Sequence, residues 1–320
     1  MNILTNPNFD FVRWRWHALA LSLIVILAGA FIIATRGLQK GVDFEGGTLV
    51  VLKFNQVPDL NAITGALGGD AIVQQYGEAG SNQVMIRVKR VGDESGTDLS
   101  REVERIVSTL KAANVGSFDE TPIGTEIVGP VVGEQLRKQG IWATVLAMAG
   151  ILAYIALRFQ FSFAVGAVVA TLHDLLVCLA FLAFFRYDMT LNVIAGLLTI
   201  TGYSVNDTIV IFDRVRENMR SMRRDNLTHI VNTAVNQTLS RTIITAGTTL
   251  LSVIALFLFG GEVLEGFAFT MLVGIISGTY STVFIAAAIA IMFQGRKPLK
   301  GQLVTTAAPE TRKPGRRRAS

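Results

Sequence analysis

A chain of 320 residues that is 51% hydrophobic and only 17% charged, with a mean hydropathy of +0.47, is not an ordinary soluble domain and reads as a membrane protein. Its net charge of +5 at pH 7 could suggest a nucleic-acid binder, but beside apolar spans such charge belongs to membrane edges and anionic lipid. One cysteine, Cys178, allows neither an internal disulfide nor a two-cysteine redox motif.

In chain order, a cytoplasmic N-terminus (1–17) precedes the first apolar run, 18–34, expected as a transmembrane helix over 18–35. "AGA" at 28–30 mimics a signal-peptide cleavage site, yet five further runs favour a retained anchor. "GVDFEGG" (41–47) follows, its three glycines suited to a tight turn at the membrane surface. Asp43 and Glu45 within it are too few for a metal site and are expected to be solvated turn residues.

Residues 36–138 form one insertion between the first two spans. Strand patterns at 48–54, 71–76, 83–88 and 121–128 alternate with helical ones at 59–67 and 98–113. Asp59 stands at an N-cap position, and Val103, Ile106, Val107 and Leu110 share one helical face. The order strand, helix, strand, strand, helix, strand predicts a small ferredoxin-like α+β domain. It carries no cluster of ligand spacing, so a binding or lever role is expected of it.

Five more apolar runs follow at 141–157, 161–185, 191–212, 243–259 and 267–293, giving six transmembrane helices with helices 2–6 in 139–293. A basic loop is expected at 213–238, its first part a helical continuation of the fourth span, and a basic tail at 294–320. Arginines and lysines crowd the segments that face the cytoplasm if the N-terminus is inside, six arginines from Arg214 to Arg241 among them. The two short outer loops hold only Arg186. Both termini are therefore expected in the cytoplasm and 36–138 outside.

Polar residues recur inside the spans. The fourth carries Thr199, Tyr203, Asn206, Asp207 and Asp213, and the fifth a stripe from Thr238 to Ser252. The sixth has a small-residue face through Gly274, Ser277, Gly278 and Ser281, expected to pack against a partner subunit. Asp207 and Arg241 stand apart. They reach similar depth on antiparallel neighbours, so they can form either a proton-carrying charge pair or a fixed ion pair. "TLHDLLVC" (171–178) adds His173 and Asp174 near mid-bilayer, as a relay or as a helix contact. With three histidines in all, this HD pair does not make a metal phosphohydrolase. No metal, cofactor or catalytic residues are expected, and without a "GxxxxGK[ST]" motif nucleotide hydrolysis lies elsewhere.

Several long motifs occur in order: "GVDFEGG", "VGPVVGEQLRKQG" (128–140), "ALRFQFSFAVGAVVATLHD" (156–174), "GYSVNDTIVIFDRVREN" (202–218), "QTLSRTIITAGTTL" (237–250) and "FGGEVLEGFAFTMLVGIISGTYST" (259–282). By them the chain resembles the SecF family of Sec protein-translocase membrane subunits, relatives of the resistance-nodulation-division exporters. Glu45 stands where similar proteins often carry Thr. The resemblance implies a SecD-like partner, contact with the Sec channel complex and with a translocating preprotein, and no nucleic acid. It also implies that Asp207 and Arg241 are the pair linked to proton flow, with Asn206, Asp174 and His173 as further relay or contact positions. The implied task is to use the proton motive force to draw preprotein across the cytoplasmic membrane. A proton-driven exporter of small molecules or lipids and a non-transporting scaffold are the alternatives.

Overall fold

The computed structural model describes residues 7–68, 71–77, 80–88, 99–128 and 130–294. After a 3-10 turn at Val12–Trp14, helix α1 runs Arg15–Arg36 and stops at Gly37, whose φ of 72° breaks the helix. A single turn, α2 (Val42–Glu45), leads into the inserted domain through Gly46 and Gly47, at φ 70° and 136°. The glycine pair expected to turn the chain does so.

The insertion folds as β1 (Gly47–Lys53), α3 (Leu60–Leu67), β2 (Ala71–Tyr76), β3 (Gln83–Val88), α4 (Leu99–Ala112) and β4 (Gly124–Val128). All pairings are antiparallel and the strand order is β2-β3-β1-β4, the ferredoxin-like arrangement. Asp59 caps α3 by accepting from the backbone N–H groups of Asn61 and Ala62. Ile106 and Leu110 of α4 and Ile63 of α3 close the core over Val50, Leu52, Val84 and Ile86 of the sheet. Val103 and Val107 flank it, so the helical face read from spacing is the buried one.

The long helices are α5 (Pro130–Arg158), α6 (Phe161–Phe185), α7 (Leu191–Ser221), α8 (Leu227–Phe259) and α9 (Glu262–Ser281). The last passes through a π-helical turn, Thr282–Ala286, into α10 (Ala287–Gln294). With α1 this gives six helices long and apolar enough to cross a membrane among the described residues. At 1.5 Å per residue α7 is ~46 Å long, more than a ~30 Å hydrocarbon layer, so it extends into the headgroups or beyond. Helix α5 likewise starts at 130, ahead of the transmembrane start expected at 139, and within 213–238 only 222–226 is non-helical, so the helical continuation of α7 runs to Ser221. The basic tail lies outside the described residues.

α6, α7 and the α9–α10 helix make the buried centre, whereas α1, α5 and α8 show most of their apolar surface. Two hydrophobic layers fill the bundle. One gathers Phe159, Phe163, Phe212, Val215 and Ile230 towards the α7–α8 hairpin, and the other gathers Leu182, Val193, Ile200, Met271 and Ile275 towards the inserted domain. Close approach depends on small residues: a Cβ at Gly274 would land on Ile200, and one at Gly278 would press on Ser204. The Gly274 and Gly278 face, expected to meet a partner, is thus occupied by α7 of the same chain. Spacing revealed a close-packing face but not which helix it packs against.

Candidate functional site

Three polar constellations stand on α7 or at its N-terminal end. The first surrounds Asp207, which is half-buried. Its Oδ1 accepts from Thr242 Oγ1 at 2.9 Å, while Oδ2, also shielded from solvent, has no hydrogen-bond partner among the described residues. Arg241 makes no ion pair with it: the guanidinium is on the exposed side of α8, although it lies close enough to act on Asp207 through space. The direct pairing expected of Asp207 and Arg241 is therefore open here. The reason is helix phase, since successive residues step ~100° around the axis and Thr242 is the one turned to α7. Asn206 is exposed beside Asp207, and one turn away Tyr203 lies within hydrogen-bonding reach of Thr245 and Thr249.

The second constellation is centred on Asp174, 1% exposed, in the layer between the two hydrophobic cores. Ser204 and Ser281 donate to its Oδ2 at 2.6 and 2.7 Å, and Ser277 donates to Oδ1 at 2.7 Å. His173 Nδ1 lies 3.0 Å from Oδ1, which fills the fourth acceptor position of an ionised carboxylate. On the far side of the ring, Nε2 is 2.9 Å from Ser22 Oγ. Ser22 reaches Tyr280 Oη at 3.3 Å, and Tyr280 donates to the Ala18 carbonyl at 2.7 Å. The network joins α1, α6, α7 and α9, and the π-helical turn begins directly after Ser281. His173 and Asp174 were visible in the sequence. Ser22, Ser204 and Tyr280 were not singled out, and Ser277 and Ser281 were read only as small residues, because nothing local ties residues on four helices to one carboxylate.

The third lies at the N-terminal end of α7 and fastens the inserted domain. Asp43 accepts from the Leu191 backbone N–H at 2.8 Å, capping the first turn of α7 with a carboxylate where the helix dipole favours one. This replaces the merely solvated role expected of Asp43. Backbone hydrogen bonds join Met189 to both Gly41 and Gln39, Gly41 N–H to Met189 O at 2.7 Å and Met189 N–H to Gln39 O at 2.8 Å. Arg87 of β3, 4% exposed, pairs with Asp188 and donates to the Lys40 carbonyl at 2.9 Å. Nearby on β4, partial burial and then the adjacent Asp43 carboxylate push the Glu126 carboxyl above the usual range, with Arg87 opposing.

A multi-pass bundle with a ferredoxin-like insertion between its first two spans and ionisable groups on both sides of one central helix defines a polytopic membrane protein with an intramembrane polar apparatus. The comparisons narrow this class. The model for "Protein export membrane protein SecD/SecF, C-terminal" matches residues 107–296, and that for the "SecD/SecF GG Motif" matches 31–56. The protein translocase subunit SecF of Desulfurispirillum indicum is 41% identical over 293 residues, covering 89% of this chain and 92% of that one. The SecF of Vibrio alginolyticus is 41% identical over 288 residues, covering 89% of each chain. Among solved structures, SecDF from Thermus thermophilus superposes with a TM-score of 0.79 at 32% identity. The match covers 91% of this chain and 39% of that one, so the present chain spans well under half of its solved relative. A SecDF structure in a "Super-membrane-facing form" superposes less closely, with a TM-score of 0.66. The chain belongs to the SecF family and is an accessory subunit of the Sec protein translocase.

Proposed function

We propose that this subunit, together with a SecD-like partner, draws on the proton motive force to promote preprotein translocation across the cytoplasmic membrane of a bacterium, and that Asp207 is the proton-carrying group. Both termini face the cytoplasm and the inserted domain lies outside, where it meets the emerging chain. The observation that carries this reading is the carboxylate of Asp207: one oxygen is held by Thr242 and the other is buried without a hydrogen-bond partner among the described residues. Such an oxygen is poised to take a proton or to receive Arg241, and the two options exclude each other. Each 100 mV of membrane potential supplies about 2.3 kcal/mol per charge moved. A transmembrane hydrogen bond is worth about 0.6 kcal/mol, so one proton suffices to repack the α7–α8 contact.

The route outward follows α7. Its outer end is tied to the 39–43 linker and, through Asp188 and Arg87, to β3 of the domain, so a shift of α7 pulls on the domain directly. The partner covers the flank where Asn206, Arg241, Thr245 and Thr248 are exposed, because polar groups at that depth are costly against lipid. That the solved relative is more than twice the length of the stretch it shares with this chain supports a second half of the bundle on this face. Arginines of the α7–α8 hairpin meet anionic headgroups.

Export of a preprotein into membrane vesicles, with and without an imposed proton gradient, tests the proposal. Asp207→Asn is expected to keep its level and its partner while losing the gradient-dependent gain. Arg241→Met is expected to match it, and Arg241→Lys to retain part of the gain, as a point charge remains. A wild-type response from Asp207→Asn would mean that Asp207 carries no proton in export.

A further inference from the structure

We infer that His173 and Asp174 form a second proton-holding site, in which the imidazole takes the proton and Asp174 remains its fixed counter-charge. The inference rests on the proton-driven reading above and adds a site to it. Three hydroxyls donate to Asp174, those of Ser204, Ser277 and Ser281, and His173 Nδ1 lies 3.0 Å from its Oδ1. With a proton on Nδ1, an ionised carboxylate accepts from the ring and from all three hydroxyls. The cage is thus built for the anion, and an anion at 1% exposure in the middle of a bundle calls for a compensating positive charge.

The ring can supply that charge because its other face ends on a hydroxyl with two choices. Ser22 Oγ lies 2.9 Å from His173 Nε2 and 3.3 Å from Tyr280 Oη. Tyr280 gives its own proton to the Ala18 carbonyl at 2.7 Å, which leaves its oxygen free to accept. With the ring neutral, Ser22 donates to Nε2. When a proton arrives at Nε2, the new N–H donates to Ser22 Oγ and the Ser22 hydroxyl turns to Tyr280. No covalent bond breaks, every polar atom keeps a partner in both states, and the pair passes from a net charge of −1 to zero. The ionisable groups facing this pair are Tyr280 from α9 and, one turn along α6, Cys178; α1 and α7 present hydroxyls there.

The position suits a role in the cycle. Ser204, which holds Asp174, precedes Asp207 by three residues, ~4.5 Å along α7. The two carboxylates therefore grip nearly the same level of one helix from different sides. The charge on the ring thus acts at the anchored face of α7, towards α6 and α9, while Asp207 governs its hold on α8.

Magnetic resonance of the full complex in bilayers, with ¹⁵N in the histidine rings, tests this, since the chain has three histidines and His173→Asn deletes one set of signals. His173 is expected to show both a neutral and a doubly protonated ring across the pH range in which export responds to the gradient. The charged form is expected to vanish in Asp174→Asn, and to fall at least about tenfold in Ser22→Ala, which removes the alternative acceptor. Should His173→Asn fail to assemble, the signals that shift in both Ser22→Ala and Asp174→Asn identify the ring. A ring that stays neutral in one tautomer throughout, or a charged form indifferent to both substitutions, overturns the inference. That result leaves the Asp207 proposal standing, because the latter is read from export in vesicles.

Discussion

Asp174 and Asp207 are both intramembrane carboxylates in contact with α7, yet their surroundings differ. Asp174 has three hydroxyl donors and an imidazole nitrogen around it and sits among α6, α7 and α9, whereas Asp207 has one donor and an oxygen with no partner among the described residues, at the edge of the α7–α8 contact. A fully satisfied buried anion is a fixed feature, because every change of state breaks several charge-assisted bonds at once. A half-satisfied one has an alternative within reach, here a proton or the nearby guanidinium. On the proposed reading, the carboxylate of Asp174 anchors the bundle and that of Asp207 moves, with any proton near Asp174 held by the ring instead.

The largest expected effect breaks the anchored side. Asp174→Ala would strand three serine hydroxyls and the His173 Nδ1–H in a dry layer, at a cost of about 3–5 kcal/mol, and the chain is expected to lose assembly. Size-exclusion chromatography with thermal unfolding in mild detergent measures this, and a normal profile would show that the cage is dispensable. Asp207→Asn under the same assay is expected to change stability by less than about 1 kcal/mol, since only the Thr242 contact is altered.

Next comes the clasp between the start of α7 and the inserted domain, the coupling route of the proposal. Asp188→Ala removes the ion-pair partner of buried Arg87, leaving it the Lys40 carbonyl and the nearby Glu126 charge among the described residues, a loss of up to about 3 kcal/mol confined to the junction. Hydrogen exchange at the Gly41 and Met189 amides should accelerate by at least about tenfold while the helices stay protected. Unchanged exchange there would separate the clasp from the coupling route.

The smallest expected effect concerns Glu126, whose carboxyl is pushed above the usual range by partial burial and by Asp43. The folded chain therefore binds this proton more readily than the unfolded one. Stability falls as pH rises from the ordinary glutamate value through the raised one, and above it the cost is fully present. Glu126→Gln should stabilise the fold slightly at neutral pH, by less than about 1 kcal/mol given its solvent access, read as a small rise in melting temperature, and change little in acid. Equal shifts at both pH values would remove the ionisation from the explanation.

What the sequence could reveal follows from how local each feature is. Six apolar runs and alternating patterns made the spans and the ferredoxin-like order legible, because burial imposes a period on each element by itself. The exact ends were less legible: α5 and α7 extend beyond their apolar runs, and polar residues such as Glu134 or Arg214 are as much at home in a helix above the membrane as in a loop. Asp207, Arg241, His173 and Asp174 stood out as costly residues in apolar runs. Their partners did not, since whether Thr242 or Arg241 meets Asp207 depends on helix rotation. The serine cage, likewise, is assembled from helices up to 107 residues apart in sequence.

The most direct test of the contrast is infrared difference spectroscopy of the complex in bilayers as the pH is lowered, reading the carbonyl stretch of a protonated carboxylic acid. The account predicts that a band appears in the wild type, is lost in Asp207→Asn, and owes nothing to Asp174, which stays a carboxylate throughout. A band that survives unchanged in Asp207→Asn, or no protonation-linked band in the wild type at all, would contradict it.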